Sequence, residues 1–177
     1  YSESFGARVF KISHDEQGNK LTHLKITGGS LKVKTQLLND EKVDQIRIYS
    51  GNKYHLTDEV MAGDICAIKG LKSIVAGQGL GIEDNTTQPS LSPYMDYQIK
   101  LPPDCDQHQV LKKLNLLAQE DPQLHINYNV RTKEIHVQLM GEIQIEVLKN
   151  IIQERFKVEV DFDYGRIIYK ATIEEAV

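Results

Sequence analysis

The sequence predicts two consecutive domains, a β-barrel over residues 1–88 and an α+β ferredoxin-like sandwich of order β-α-β-β-α-β over residues 89–177. Three observations predict them. Short apolar-alternating runs separated by glycine-rich turns fill the first half. Two helical stripes set among alternating strands fill the second. Between them, Asn85-Thr86-Thr87-Gln88-Pro89-Ser90-Leu91-Ser92-Pro93 is polar, carries two prolines and has no apolar period, so it reads as a linker.

In the first half, Arg8-Val9-Phe10-Lys11-Ile12 is a β-branched and aromatic run. The turn-prone Asp15-Glu16-Gln17-Gly18-Asn19 separates it from Leu21-Thr22-His23-Leu24-Lys25-Ile26. Gly28-Gly29-Ser30 then precedes the alternating Leu31-Lys32-Val33. Gln45-Ile46-Arg47-Ile48-Tyr49 alternates and runs into the turn Ser50-Gly51-Asn52. Asp64-Ile65-Cys66-Ala67-Ile68 is a buried-type strand between Gly63 and Gly70. Such strands argue for a closed barrel or a sandwich, closure removing exposed edges.

In the second half, a strand runs from Tyr94 to Leu101 and stops at Pro102-Pro103. Asp106 is placed to cap a helix whose apolar face is Val110, Leu111, Leu114, Leu117 and Ala118, and Pro122 ends it. Leu124, Ile126, Tyr128 and Val130 alternate, Arg131-Thr132-Lys133 turns, and Ile135, Val137 and Leu139 alternate again. A second helix follows Gly141, with Glu142 favourably placed in its first turn and a stripe of Ile143, Val147, Leu148, Ile151, Ile152 and Phe156. Val158, Val160 and Phe162 are the last alternating strand of the sandwich. Only one face of each strand is apolar, so both helices must cover the same face of a four-stranded sheet. Ile167-Ile168-Tyr169-Lys170 reads as a strand leading into a later domain.

Composition narrows the function. The net charge is −4, with eleven Lys/Arg against eleven Asp/Glu in residues 1–88 and ten against fourteen in 89–177. Neither half is broadly basic, so any contact with RNA must come from a local patch. No run is long and apolar enough to span a membrane, and no secretory signal opens the chain, which points to the cytoplasm. The first residue is Tyr1 rather than Met, as expected of a piece of a longer chain. Cys66 and Cys105 are read as reduced thiols.

Catalytic patterns are sparse. No Gly-x-x-x-x-Gly-Lys-Ser/Thr occurs, so no phosphate-cradling P-loop is present. Gly77-Gln78-Gly79-Leu80-Gly81 lacks a lysine and a following helix, and reads as a flexible turn into the last barrel strand. The histidines 14, 23, 55, 108, 125 and 136 show no metal-ligand spacing, and His136 reads as a surface residue. Glu142 and Glu146 lie one helical turn apart, a spacing open to acid–base work, but with no nucleophile nearby a solvated face is favoured. Glu120-Asp121 close a helix where acids oppose its dipole, so they mark either a solvated end or a contact. Lys25, Lys32 and Lys34 flank one glycine-rich turn and are candidates for phosphate contact, set against a scattered solvated surface.

Four segments resemble translational GTPases of the elongation factor G type. Ile26-Thr27-Gly28-Gly29-Ser30-Leu31 and Met61-Ala62-Gly63-Asp64-Ile65-Cys66-Ala67-Ile68-Lys69-Gly70-Leu71 resemble elements of that family's second-domain barrel. Leu117-Ala118-Gln119-Glu120-Asp121-Pro122-Gln123-Leu124 and Leu139-Met140-Gly141-Glu142-Ile143-Gln144-Ile145-Glu146 resemble two segments of its third domain. Gln144 stands where elongation factor G typically has His, and that Gln, with the run Glu134 to Val160, is similar to the tetracycline-resistance ribosomal protection proteins. The reading therefore leans to that subfamily, with the elongation factor G translocase as the alternative.

The resemblance implies the rest. A GTPase domain holding GTP and Mg would precede the barrel, while these two domains hold no cofactor and no catalytic residue. The partners would be the ribosome, through small-subunit RNA and ribosomal protein, and the chain's own GTPase domain, with the segment itself monomeric. Lys25, Lys32 and Lys34 would face RNA, and Glu120, Asp121, Gly141, Glu142 and Gln144 would lie at an interdomain or ribosome-facing surface. Two competing readings are a stand-alone metabolic enzyme, which needs a cleft of convergent polar groups, and a small RNA-binding module. The module needs an aromatic stacking surface, and a chain with no Trp and four Phe is poorly supplied for one.

Overall fold

The computed structural model describes residues 2–86, 95–163 and the backbone of 166–167. Most of the linker, the first residue of the Tyr94 strand and Ile168-Tyr169-Lys170 lie outside the described residues. The chain divides into two compact units, Tyr1–Pro89 and Ser90–Val177.

Among its described residues the first unit is all β apart from one 3-10 turn, Leu38–Asp40. Its strands are β1 (Gly6–His14), β2 (Lys20–Gly28), β3 (Ser30–Lys32), β4 (Gln45–Ser50), β5 (Lys53–Thr57), β6 (Glu59–Met61), β7 (Ile65–Lys69) and β8 (Gly79–Gly81). Six of them form an antiparallel sheet in the order β5-β4-β7-β2-β1-β8, and β3 and β6 form a two-stranded ribbon. The sheet contributes Leu24, Ile26, Ile46 and Ile68 to a core that the ribbon completes with Leu31 and Val60. One core enclosed by a sheet and a ribbon is the barrel-like arrangement of the first half. The ladder does not run full circle, however: β5 and β8 remain its edges. The short β8 and the largely exposed β5 lie at those edges.

Backbone geometry enforces this unit. Gly70 has φ +116°, and a Cβ there would be driven into the carbonyl oxygen of Lys42, with the Asp44 nitrogen at 2.9 Å. Gly81 has φ +67°, and a Cβ there would be driven into the Phe5 carbonyl. Both positions demand glycine for conformation and for space. Gly79-Leu80-Gly81 is itself the last strand, not the turn before it. β1 carries a bulge, since Val9 faces Leu24 while Lys11 faces His23. Phe10 is the extra residue, so Phe10 and Lys11 are both exposed and the alternation shifts phase there.

The second unit is β9 (Met95–Lys100), α1 (Gln107–Glu120), β10 (His125–Asn129), β11 (Glu134–Leu139), α2 (Glu142–Phe156), β12 (Asp161–Phe162) and β13 (Arg166–Ile167). Its sheet order, β10-β11-β9-β12, places the first strand between the third and fourth, as in the ferredoxin-like arrangement. β13 pairs with the start of β9 and β12 with its end. Asp106 caps α1 by accepting hydrogen bonds from the backbone N–H groups of His108 and Gln109, at 3.0 and 3.4 Å. Val110, Leu114 and Leu117 pack against Tyr97, Ile99, Ile135 and Val137.

Two expectations need correction. Val158 and Val160 precede β12, which spans only Asp161–Phe162, although Val160 is buried. In α2 the buried side is built on Leu148 and Ile152, with Ile145, Ile151 and Phe156 beside them. Ile143 and Val147 are 81% and 52% exposed. The apolar residues of α2 cover more of its circumference than one sheet face can bury, so those farthest round from Leu148 and Ile152 are left outside.

Candidate functional site

The three candidate lysines do not share one strand pair. Lys25 lies on β2, in the six-stranded sheet, opposite Arg8 on one side and Ile65 on the other. Lys32 belongs to the ribbon, with its ammonium 3.8 Å from the Glu59 carboxylate. Lys34 follows β3 in a left-handed conformation, φ 72°, its backbone N–H donating to the Val43 carbonyl at 2.7 Å. None of the three is buried, and part of the charge of Lys32 is directed at its own neighbour.

Of the second unit's five candidates, Glu120, Asp121 and Gln144 come together around a groove of about 230 Å³ between α1 and α2. Glu120 accepts two hydrogen bonds from the Arg155 guanidinium, at 2.7 and 3.1 Å. This bidentate pair ties the two helices and offsets the unfavourable placement of an acid at the end of α1. The bound carboxylate also raises the Arg155 pKa. Asp121 Oδ1 accepts from the Gln123 backbone at 2.9 Å, shaping the turn that holds Pro122. Gln144 Oε1 reaches back to accept from the Met140 backbone at 2.6 Å. A third-position glutamine bonding the backbone just ahead of its helix is a capping device. Leu117, Leu124, Val147 and Ile151 supply the groove's apolar walls.

Glu142 lies apart from these three, lining a separate recess with Tyr97, Ile145, Glu146, Lys149 and Asp161. Lys149 there is paired with Asp161 at 2.6 Å, which holds the Asp161 carboxyl below its ordinary pKa. Gly141 opens α2 with extended backbone, φ 173°, and a Cβ there would meet nothing within 4 Å.

Two features escaped the sequence reading. His136 is not a plain surface residue: it is half-buried, its Nδ1 2.7 Å from Asp96 Oδ2 and its Nε2 3.4 Å from Glu134 Oε2. Alternation alone placed it on the uncovered sheet face but could not show which acids the neighbouring strand brings there. More consequential is a row of rings across the outer face of the main sheet. Phe10 lies 6.1 Å from His23, His23 lies 6.0 Å from Tyr49, and Tyr49 lies 5.4 Å from Tyr54. The Arg47 guanidinium sits 4.5 Å from the Tyr54 ring centre. An aromatic surface was not anticipated from a chain without Trp and poor in Phe, yet Tyr and His build one. Tyr49 and Tyr54 on either side of the Ser50-Gly51-Asn52 turn were the available signal, but Phe10 and His23 lie too far away in sequence to have been joined to them.

No group of three or more His, Cys, Asp or Glu among the described residues is placed to hold a metal. Among the same residues, no helix is long and apolar enough to cross a membrane. Both cysteines are free, and burial pushes the Cys66 thiol up to about 12, which keeps it protonated and unreactive.

Comparison with known proteins assigns both halves. The family described as "Elongation factor G domain 2" matches residues 4–81, and "Elongation Factor G, domain III" matches residues 92–164. A relative named Elongation factor G 2, from Syntrophus aciditrophicus (strain SB), is 29% identical and matches over 99% of this chain and 27% of its own length. A solved structure from Thermus thermophilus superposes with a TM-score of 0.74 at 20% identity, covering 92% of this chain and 26% of that one. That likeness supports the fold, and this chain spans only about a quarter of either protein. These descriptions name elongation factor G, and the lean towards the tetracycline-resistance subfamily gains no support from them. Residues 4–81 and 92–164 thus match, in that order, the second- and third-domain models of elongation factor G.

Proposed function

We propose that these two domains are the non-catalytic binding and coupling portion of a ribosome-dependent translational GTPase. The observation that carries the reading is the ordered pair itself, a barrel of the second-domain type followed by a third-domain sandwich. In this reading GTP and Mg belong to a separate GTPase domain of the parent, which works in the cytoplasm, and the two domains, monomeric on their own, relay nucleotide state as rigid bodies. Lys25, Lys32 and Lys34 face ribosomal RNA. Glu120, Asp121 and Gln144 around their groove, and Gly141 and Glu142 at the start of α2, present the helical side of the sandwich to ribosomal protein or to the GTPase domain.

Reversing the charge of Lys25, Lys32 and Lys34 in the full-length parent should weaken ribosome binding and flatten its salt dependence. Unchanged binding rejects the lysine assignment. Tight GTP binding by the two domains alone rejects their non-catalytic role.

The parent's activity is best read as translocation by an elongation factor. A second reading, ribosomal protection against tetracycline, rests on Gln144 and the run from Glu134 to Val160. Gln144 has a local role in closing the start of α2, which weakens it as a subfamily mark. Assaying the full-length parent for translocation and for tetracycline release from ribosomes separates the two.

A further inference from the structure

The ring row on the barrel is assembled from four strands, β1, β2, β4 and β5. Between β2 and β4 runs β7, which places the small Ala67 level with His23 and Arg47, so no bulky side chain interrupts the row there. Phe10 is 53% exposed and Tyr54 48% exposed, so both ends of the row offer ring surface to solvent. What sets them apart is that they lie side by side, since a contiguous exposed apolar patch marks a binding surface where scattered residues do not.

Two acids of the barrel are engaged by cations, Asp15 by Arg47 at 3.3 Å and Glu83 by Arg8 at 2.6 Å. Lys11, cross-strand from His23, and Lys25, two residues beyond His23 on the same face, are exposed and have no ion pair among the described residues. Burial, and to a smaller extent Lys11, keeps His23 below its ordinary pKa, so its ring is neutral and able to stack at pH 7. Arg47 is held in place by Gln45 at 2.8 Å and by Asp15, which fixes the guanidinium against Tyr54. Aromatic rings that accept bases, beside free cations that accept phosphates, form the combination by which barrels hold single strands.

We propose that the outer face of the barrel sheet, across Phe10, His23, Tyr49 and Tyr54 with Lys11 and Lys25 at its side, binds unpaired nucleotides of an RNA strand by stacking. The site recognises bases through ring faces and the backbone through the two lysines. It predicts preference for single strands over duplex, because paired bases bury the faces that the rings would meet. The proposal stands on ring geometry and free charge, and does not depend on the ribosomal reading.

The test uses the two-domain chain and a fluorescently labelled oligoadenylate RNA of about 12 nucleotides, within the span held by single-strand-binding barrels. Fluorescence anisotropy should show binding that weakens with salt. Tyr54→Ala and Phe10→Ala should each weaken it about tenfold, or about 1.4 kcal/mol. Tyr54→Phe, which keeps the ring, should bind as the parent chain does, and Lys11→Glu should weaken binding and lower the salt slope. Circular dichroism checks that each variant is folded. No detectable binding, equal binding of a duplex, or alanine variants that bind like the parent chain would each overturn the proposal. Because the probe is a free oligonucleotide, its failure leaves the ribosomal reading untouched.

Discussion

The barrel and the sandwich are of similar length but are held by different means. In the barrel, the backbone itself is constrained: Gly70 and Gly81 occupy positive-φ positions into which no side chain fits. In the sandwich, the glycine that opens α2 is in extended backbone with open space around it, and the constraint comes from apolar faces meeting across one sheet. The comparison teaches that a glycine's importance cannot be read from its presence beside a turn. It depends on φ and on what stands where a Cβ would go. The barrel encloses its core on both sides, while the sandwich leaves the Ile143 and Val147 edge of α2 uncovered.

The largest effect expected from this comparison is at Gly70. Gly70→Ala should destabilise the barrel by about 3 kcal/mol or more, through strain and collision with the Lys42 carbonyl, measured by urea unfolding. Gly141→Ala should stay within about 0.5 kcal/mol of the parent chain. A mild Gly70→Ala, or a severe Gly141→Ala, breaks the contrast. A Gly141→Ala protein of ordinary stability that impairs the full-length parent would sharpen it, because a structural role is then removed from the account.

Next come the cores. Leu24→Ala in the barrel and Leu114→Ala in the sandwich remove fully buried side chains and should each cost about 2–5 kcal/mol. Similar losses would show that the sandwich, despite its uncovered edge, has an interior as tightly packed as the barrel's. A loss below about 1 kcal/mol at Leu114 would mean that this interior collapses around the deletion.

The Glu120–Arg155 pair is partly exposed, with side chains 19% and 39% accessible. After allowance for solvent screening, a double-mutant cycle should return a coupling of about 0.5–1 kcal/mol. Ile143→Ser, by contrast, should change the stability of the two-domain chain by less than about 0.5 kcal/mol, since the side chain is already in water.

His23 gives the smallest effect, in the barrel alone. Its pKa in the fold lies below its ordinary value of 6.5, burial being the main cause and Lys11 the second. The unfolded chain therefore takes up the proton first as pH falls, so this contribution to stability is complete above about 6.5 and is lost as pH drops towards the folded value. His23→Gln should flatten the pH dependence of stability in that window, and an unchanged slope would remove His23 from the account.

Much of the architecture was legible because it is written in local periods. The alternation of Ile135, Val137 and Leu139 and the spacing of Val110, Leu114 and Leu117 named buried faces that the structure reproduces, and Asp106 named a helix start. The α2 stripe was misjudged because hydrophobicity shows which residues can be buried, not how wide a face the sheet offers. The candidate site was legible in part. Glu120 and Asp121 stood out as acids at the wrong end of a helix, but the reason, a bidentate Arg155 from the next helix, is non-local.

The sequence by itself determined that there are two domains, their classes and their order, because turns, caps and hydrophobic periods act over a few residues. Tertiary structure alone decided that Phe10 bulges outward, that His136 meets Asp96, and that four rings from β1, β2, β4 and β5 form one row. Each of these depends on strand register across a sheet, and register is set by the packing of the whole sheet rather than by any one stretch.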